Sequence, residues 1–259
     1  MDLGLRDAIV MVTGGARGIG ASIVEMCARE GALPVIVDRD EAAVAAFEQQ
    51  LRETGLKSEA VITDLTDHAA SHKALAKKAD ELGRIDALVN NAGFNDGVSL
   101  EHGTAQNFMS SLFLNLTHCF AVTKTASPYL IASKGAVVNI GSKVAITGQG
   151  GTSGYAAAKG ALISLTSQWA HELDKHSVRV NIVIPAEVLT PQYRSWLNKT
   201  PDPEQTQRRI ASKIPLGHRL TSSDEIASTV LFLISPRNRR SGQEIHVDGG
   251  YVHLDRGLS

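Results

Sequence analysis

Thr13-Gly14-Gly15-Ala16-Arg17-Gly18-Ile19-Gly20 is the stretch that decides the fold. It follows the apolar run 8–12 and opens the helical pattern 18–30, so a glycine-rich turn sits between a strand and a helix. Such a turn lets a dinucleotide pyrophosphate approach the backbone and the helix N-terminus. The glycines fall as G-x3-G-x-G, not G-x-G-x-x-G, yet the jobs are similar: a tight turn, close approach to phosphate and close helix packing. No Gly-Lys-Ser/Thr follows, which excludes a phosphate-binding loop of the NTPase kind.

Outward from that turn, short β-rich runs alternate with longer helical patterns. Residues 8–12, 33–38, 57–62, 87–90, 136–140, 178–184 and 244–247 read as strands. Residues 18–30, 41–54, 67–82, 106–130, 155–175 and 224–234 read as helices. Most strands are nearly continuous apolar runs, the pattern of parallel strands covered on both faces. Seven of them with helical crossovers predict a Rossmann-type α/β fold, a doubly wound parallel sheet. No repeat, low-complexity tract or linker divides the chain, so one domain spanning 1–259 is expected. The segment 187–220, with Pro191, Pro201, Pro203 and Pro215, breaks the alternation. It leaves the carboxyl end of a strand and is read as a lid over a ligand site.

Composition narrows the function classes. The chain is 43% hydrophobic and 20% charged with a formal net charge of -1, as in an ordinary soluble globular protein. Nucleic acid and anionic membrane both demand a basic patch, and neither is expected as a partner. No apolar run approaches the roughly 18 residues of a membrane span, and no charged-then-apolar leader opens the sequence; a cytoplasmic protein is expected. Cys27 and Cys119, far apart within helical patterns, read as reduced core thiols. No metal is expected from the nine His residues.

Asp38 ends the second strand, where a carboxylate accepts both hydroxyls of an adenosine ribose and repels a 2′-phosphate. Arg17 and Arg39 stand close by in sequence and can pair with a phosphate, so NAD is favoured and NADP stays open. Tyr155 and Lys159, in Tyr155-Ala156-Ala157-Ala158-Lys159, lie one turn apart on one helix face. An ammonium so placed favours the phenolate, which suits Tyr155 to general acid/base work near neutral pH. Ser142 follows the fifth strand and can hydrogen-bond a substrate oxygen while Tyr155 moves its proton. Asn95, Asp96, Lys143, Gln149 and Glu187 fall on neighbouring strand-end loops. Each alone suits a solvated loop; as a set they lean towards a polyol or sugar, and an acid at Glu187 is a poor choice for a fatty acyl or steroid substrate. Tyr193 and Trp196 open the lid, either packing it down or presenting an aromatic face to a sugar.

Taken together, the Gly14, Gly18 and Gly20 spacing, Ser142 and the Tyr155/Lys159 pair resemble the short-chain dehydrogenase/reductase family, over a stretch from Leu5 to the Asp248-Gly249-Gly250 turn. The resemblance implies a nicotinamide dinucleotide held by Gly14, Arg17, Gly18, Ile19, Gly20 and Asp38. Asp64 and Leu65 would then meet adenine, and Asn90-Asn91-Ala92-Gly93 would brace the sheet and line the cofactor. Lys159 would grip the nicotinamide ribose beside Tyr155, while Val188 and Thr190 would bind the carboxamide. The implied catalytic set is Asn115, Ser142, Tyr155 and Lys159, with Asn115 holding a water that connects Lys159 to solvent. An Asn in the apolar helix run 112–116 is poorly favoured by propensity, which suits either a bound role or a kinked helix. Ala186 stands where the family usually has Gly, and its restricted φ predicts a locally different backbone.

At finer grain, Ser142-Lys143, Thr147-Gly148-Gln149-Gly150, Pro185-Ala186-Glu187-Val188 and Tyr251-Val252-His253-Leu254-Asp255-Arg256 resemble the family's bacterial L-fucose dehydrogenases. That implies hydride transfer from the C1 hydroxyl of an L-fucose-like aldose to NAD, giving a lactone. The alternative is a 3-oxoacyl carrier-protein reductase or other small-ketone reductase, against which Asp38 and the polar loops count. A sugar-nucleotide epimerase needs a further domain, and a catalytically dead dinucleotide sensor would not need the Ser142, Tyr155 and Lys159 set. The helices containing Asn115 and Tyr155 resemble those that form the family's tetramer, so a homotetramer is implied.

Overall fold

A computed structural model describes residues 2–254. The glycine turn joins β1 (Ile9–Thr13) to α1 (Gly18–Arg29), and the alternation continues through β2 (Leu33–Asp38), α2 (Glu41–Glu53), β3 (Glu59–Ile62), α3 (His68–Leu82) and β4 (Ala87–Asn90). After β4 come α4 (Ala105–Leu112) and α5 (His118–Ser133), then β5 (Ala136–Ile140), α6 (Ser153–Asp174) and β6 (Arg179–Pro185). The last elements are α7 (Pro191–Leu197), α8 (Pro203–Ala211), α9 (Ser223–Ile234) and β7 (Glu244–Val247). The strands form one seven-stranded sheet in the order β3-β2-β1-β4-β5-β6-β7, every pairing parallel. The chain moves outward in one direction from β1 and in the other from β4, so the carboxyl ends of these two neighbours flank the crevice where open α/β sheets bind ligands.

Period-two alternation divides the core. Val10 and Val12 of β1 join Ile36, Val89 and Val138 under α1 and α9, while Ile9 and Met11 join Val35, Leu88 and Val137 under α3, α5 and α6. The two thiols sit one on each side, and burial raises Cys27 to about 12 and Cys119 to about 11, which keeps both as inert thiols.

Most element bounds fall within two residues of the sequence expectation, and three differences have a local cause. β3 starts at Glu59, not 57, because its pairing with β2 begins at Val35 opposite Glu59. The helix expected over 106–130 is α4 and α5 joined by a π-helical turn, Phe113–Thr117, and it starts at Ala105 where Thr104 and Asn107 form a capping box. Within 187–220, Pro191 and Pro203 are not breakers: each begins a helix behind a capping residue, Thr190 for α7 and Asp202 for α8.

Candidate active site

The first wall of the site is the turn after β1. Gly14 has φ +62, in the left-handed region. A Cβ on Gly20 would come within 2.1 Å of the Gly14 carbonyl oxygen and 2.7 Å of Asn91 Nδ2, so only glycine fits there. Asn91 ties this turn to β4: its Nδ2 donates to the carbonyls of Thr13 (2.9 Å) and Gly14 (3.0 Å). Asn90 Nδ2 donates to Thr123 Oγ1 and to Asn139 Oδ1, both at 2.9 Å, bracing the sheet interior. Asp38 is fixed at the end of β2 by the amides of Ala16 (3.3 Å) and Asp40 (3.2 Å). Arg17 pairs with Asp40 at 2.7 Å, and Arg39 with Asp64 at 3.4 Å. Asp64 also accepts from the Thr66 amide and hydroxyl, and these bonds, the amide first, hold its carboxyl below the usual range.

The second wall is built from β5, α6 and the π turn. Lys159 is buried, donates to the Ile140 carbonyl (2.8 Å) and lies with Nζ 5.6 Å from the Tyr155 ring centroid. Asn115 lies inside the π turn, fully buried. Its Oδ1 accepts from the Phe94 amide (2.7 Å) and its Nδ2 donates to the Ser111 carbonyl (3.1 Å), anchoring the loop after β4 to the helix. The missing side chain of Gly93 makes room for both: a Cβ there would stand 3.3 Å from Asn115 Oδ1 and from Lys159 Nζ. Ser142 caps the 3-10 turn Lys143–Ala145, with Oγ accepting from the Val144 amide at 3.4 Å.

The third wall follows β6. Glu187 forms a buried ion pair with Lys143, with side chains only 11% and 7% exposed. Its carboxylate is therefore half of an ion pair. Ala186 keeps an ordinary negative-φ backbone, so the substitution for Gly brings no left-handed strain. Thr190 Oγ1 accepts from the Tyr193 amide at 3.1 Å, and Val188 bridges Thr221. Tyr193 and Trp196 meet edge to face at 5.3 Å.

A cleft of about 1700 Å³ runs between these walls, larger than an ordinary small-molecule pocket. Of the site residues expected from sequence, Gly20, Asn90, Asp96 and Asn115 do not line it; Gly20, Asn90 and Asn115 stand behind it as supports. Asp96 accepts from Ser111 Oγ at 2.9 Å. Of the C-terminal stretch 251–256, Asp255 and Arg256 lie outside the described residues.

Among the lining residues that sequence reading did not assign to the site are His118 and Tyr251. His118, on the turn entering α5, is held neutral with its pKa lowered to about 4, by burial first and then by Lys159 and His68. Tyr251 follows the Asp248-Gly249-Gly250 turn and lies under Lys143, whose Nζ is 4.3 Å from its ring centroid. Sequence reading also missed that His68 and His72 stand four apart on α3. His72 Nδ1 meets Thr125 Oγ1 at 2.8 Å and His68 Nε2 meets Thr117 Oγ1 at 3.3 Å; among the described residues no group of three or more His, Cys, Asp or Glu is placed to hold a metal.

Glycine-only backbone where a phosphate would approach, a carboxylate at the end of β2, and a Tyr-Lys-Ser cluster at the strand ends fit a nicotinamide dinucleotide and define an oxidoreductase site. The comparisons agree. Residues 8–200 match the family model for short chain dehydrogenases. An L-fucose dehydrogenase of Bos taurus is 37% identical over 253 residues, covering 96% of this chain and 92% of that protein. A 3-oxoacyl-[acyl-carrier-protein] reductase of Thermotoga maritima is 32% identical, covering 96% and 99%. The crystal structure of Cj0485 dehydrogenase superposes with a TM-score of 0.94 at 42% identity, covering 100% of this chain and 99% of that one. The chain belongs to the short-chain dehydrogenase family and is an NAD(P)-dependent oxidoreductase acting on CH-OH groups.

Proposed function

We propose that this enzyme oxidises the C1 hydroxyl of an L-fucose-like aldose to a lactone with NAD. The observation that carries the sugar reading is the buried Lys143–Glu187 pair lining the cleft shared with Ser142 and Tyr155. A desolvated ion pair beside the reacting groups suits a substrate with hydroxyls to give and accept, and would oppose an acyl chain. The similarity to L-fucose dehydrogenases points the same way. NAD is favoured because the Asp38 carboxylate at the end of β2 would accept both adenosine ribose hydroxyls and repel a 2′-phosphate, while Arg17 and Arg39 pair with Asp40 and Asp64.

The residues then take these roles. Gly14, Arg17, Gly18, Ile19 and Gly20 shape the pyrophosphate site; Asp38, Asp64 and Leu65 hold the adenosine end; Asn91, Ala92, Gly93, Val188 and Thr190 hold the nicotinamide end. The bound nicotinamide supplies the hydride acceptor. Ser142 orients the sugar oxygen, Tyr155 takes its proton, and Lys159 grips the nicotinamide ribose while Asn115 fixes the turn beside it. Asn95, Lys143, Gln149, Glu187, Tyr193 and Trp196 surround the sugar, with 187–220 closing over it as a lid. The enzyme works as a cytoplasmic homotetramer. The exposed side chains Met109, Phe113 and Phe120 on the helices around Asn115 supply an apolar face for that assembly.

The test is a panel of aldoses and acetoacetyl thioesters with NAD and NADP, run on the wild type and Asp38→Ala. The wild type is expected to oxidise aldoses with NAD, and Asp38→Ala to move the preference towards NADP by about tenfold or more, a change of about 1.4 kcal/mol. Efficient reduction of thioesters without aldose turnover would replace this reading with the acyl-reductase one.

A further inference from the structure

The lid residue Tyr193 has more than an aromatic face to offer. Its amide is pinned to Thr190 and its ring is held edge-on by Trp196, so the phenol has a fixed direction. Its Oη is buried and lies beside the Glu187 carboxylate, with no partner at good hydrogen-bond geometry. The nearby Glu187 carboxylate is fixed as well: Lys143 pairs with it, and the Glu187 carbonyl accepts from the Thr221 amide at 2.9 Å. Burial and that carboxylate raise the Tyr193 pKa, so the phenol keeps its proton and has it to donate to a ligand oxygen.

We propose that Tyr193 Oη and the Glu187 carboxylate form a slot for one substrate hydroxyl, which accepts from the phenol and donates to the carboxylate. A hydroxyl has both capacities in one atom; a carbonyl lacks the donor and a methylene lacks both. The slot would make Tyr193 a specificity residue through its hydroxyl, whereas Trp196 contributes surface alone. Which hydroxyl enters the slot rests on the sugar reading above; the existence of the slot does not.

The experiment pairs Tyr193→Phe with substrates that lack single hydroxyls: L-fucose and its ring-deoxy analogues in one series, meso-2,3-butanediol and 2-butanol in the other. In the wild type, deleting one particular hydroxyl is expected to lower kcat/KM by roughly 10- to 100-fold. Tyr193→Phe is expected to lose a similar factor on the parent substrate and to fall by under about threefold on that one analogue, because the same hydrogen bond is removed twice. Glu187→Gln, the second variant, is expected to couple to the same hydroxyl. Coupling in the diol series without aldose turnover would keep the slot and sink the sugar reading. Penalties that multiply independently in both series, or no turnover of either, would overturn the slot.

Discussion

At the residue scale, the decisive side chains act in pairs, and the Lys143–Glu187 pair is the most exposed to test. Each charge is buried, so removing one leaves the other without compensation. Lys143→Met is expected to destabilise the fold by about 3–5 kcal/mol, while Lys143→Met with Glu187→Leu recovers most of that loss. Urea unfolding of the two variants measures the difference, and both are expected to lose aldose turnover. A single variant as stable as the wild type would mean that the pair is solvated. This pair was not legible in the sequence as a pair. Ser142, Tyr155, Lys159 and the glycines could be read because their chemistry is encoded in short spacings within one helix or turn. Lys143 and Glu187 meet only because β5 and β6 are adjacent, placing two strand-end loops side by side. Tyr251 and His118 escaped for the same reason: a residue type without a spacing carries no local signal.

At the element scale, the helix pair around Asn115 shows what periodicity conveys and what it omits. The apolar pattern points to one long helix; the π turn at Phe113–Thr117 is invisible to it, because the largely apolar run that follows has no sharp stripe whose shift would mark the extra residue. That turn positions Asn115 towards the loop after β4 and starts α5 with His118 buried near Lys159. A pH dependence follows. His118 falls from an ordinary 6.5 to about 4 on folding, so between these values the unfolded chain binds a proton that the folded chain excludes. Its contribution to stability is full above about pH 6.5 and is lost as pH falls towards about 4, at a slope of up to about 1.4 kcal/mol per pH unit. His118→Gln is expected to flatten the change in urea midpoint between about pH 6.5 and about pH 4.5. An unchanged slope would assign the dependence to other groups. Pro191 and Pro203 teach a related lesson: read as punctuation, they begin the first turns of α7 and α8.

At the scale of the whole molecule, the parallel sheet was the most legible feature, since apolar strands alternating with helices leave few topologies. Its order explains why residues from opposite ends of the chain, Gly14 and Tyr251, share one cleft. Assembly is the other property at this scale. Phe120 on α5 is 57% exposed, with its ring 6.5 Å from that of the buried Trp169 of α6, so α5 offers an apolar contact to a second chain. Light scattering is expected to give the mass of four chains for the wild type and a smaller species for Phe120→Asp. A monomeric wild type would remove the tetramer from the account.

The central claim is that hydride leaves sugar C1 as Tyr155 takes the hydroxyl proton, and one isotope experiment addresses it. L-fucose deuterated at C1 is incubated with NAD and either the wild type or Tyr155→Phe, and both products are analysed by mass spectrometry. The account predicts deuterium in the reduced nicotinamide, a lactone without it, and a rate lowered by roughly 10²–10⁴-fold in Tyr155→Phe although NAD still binds. Unlabelled reduced cofactor, or a Tyr155→Phe enzyme that turns over at the wild-type rate, would contradict it.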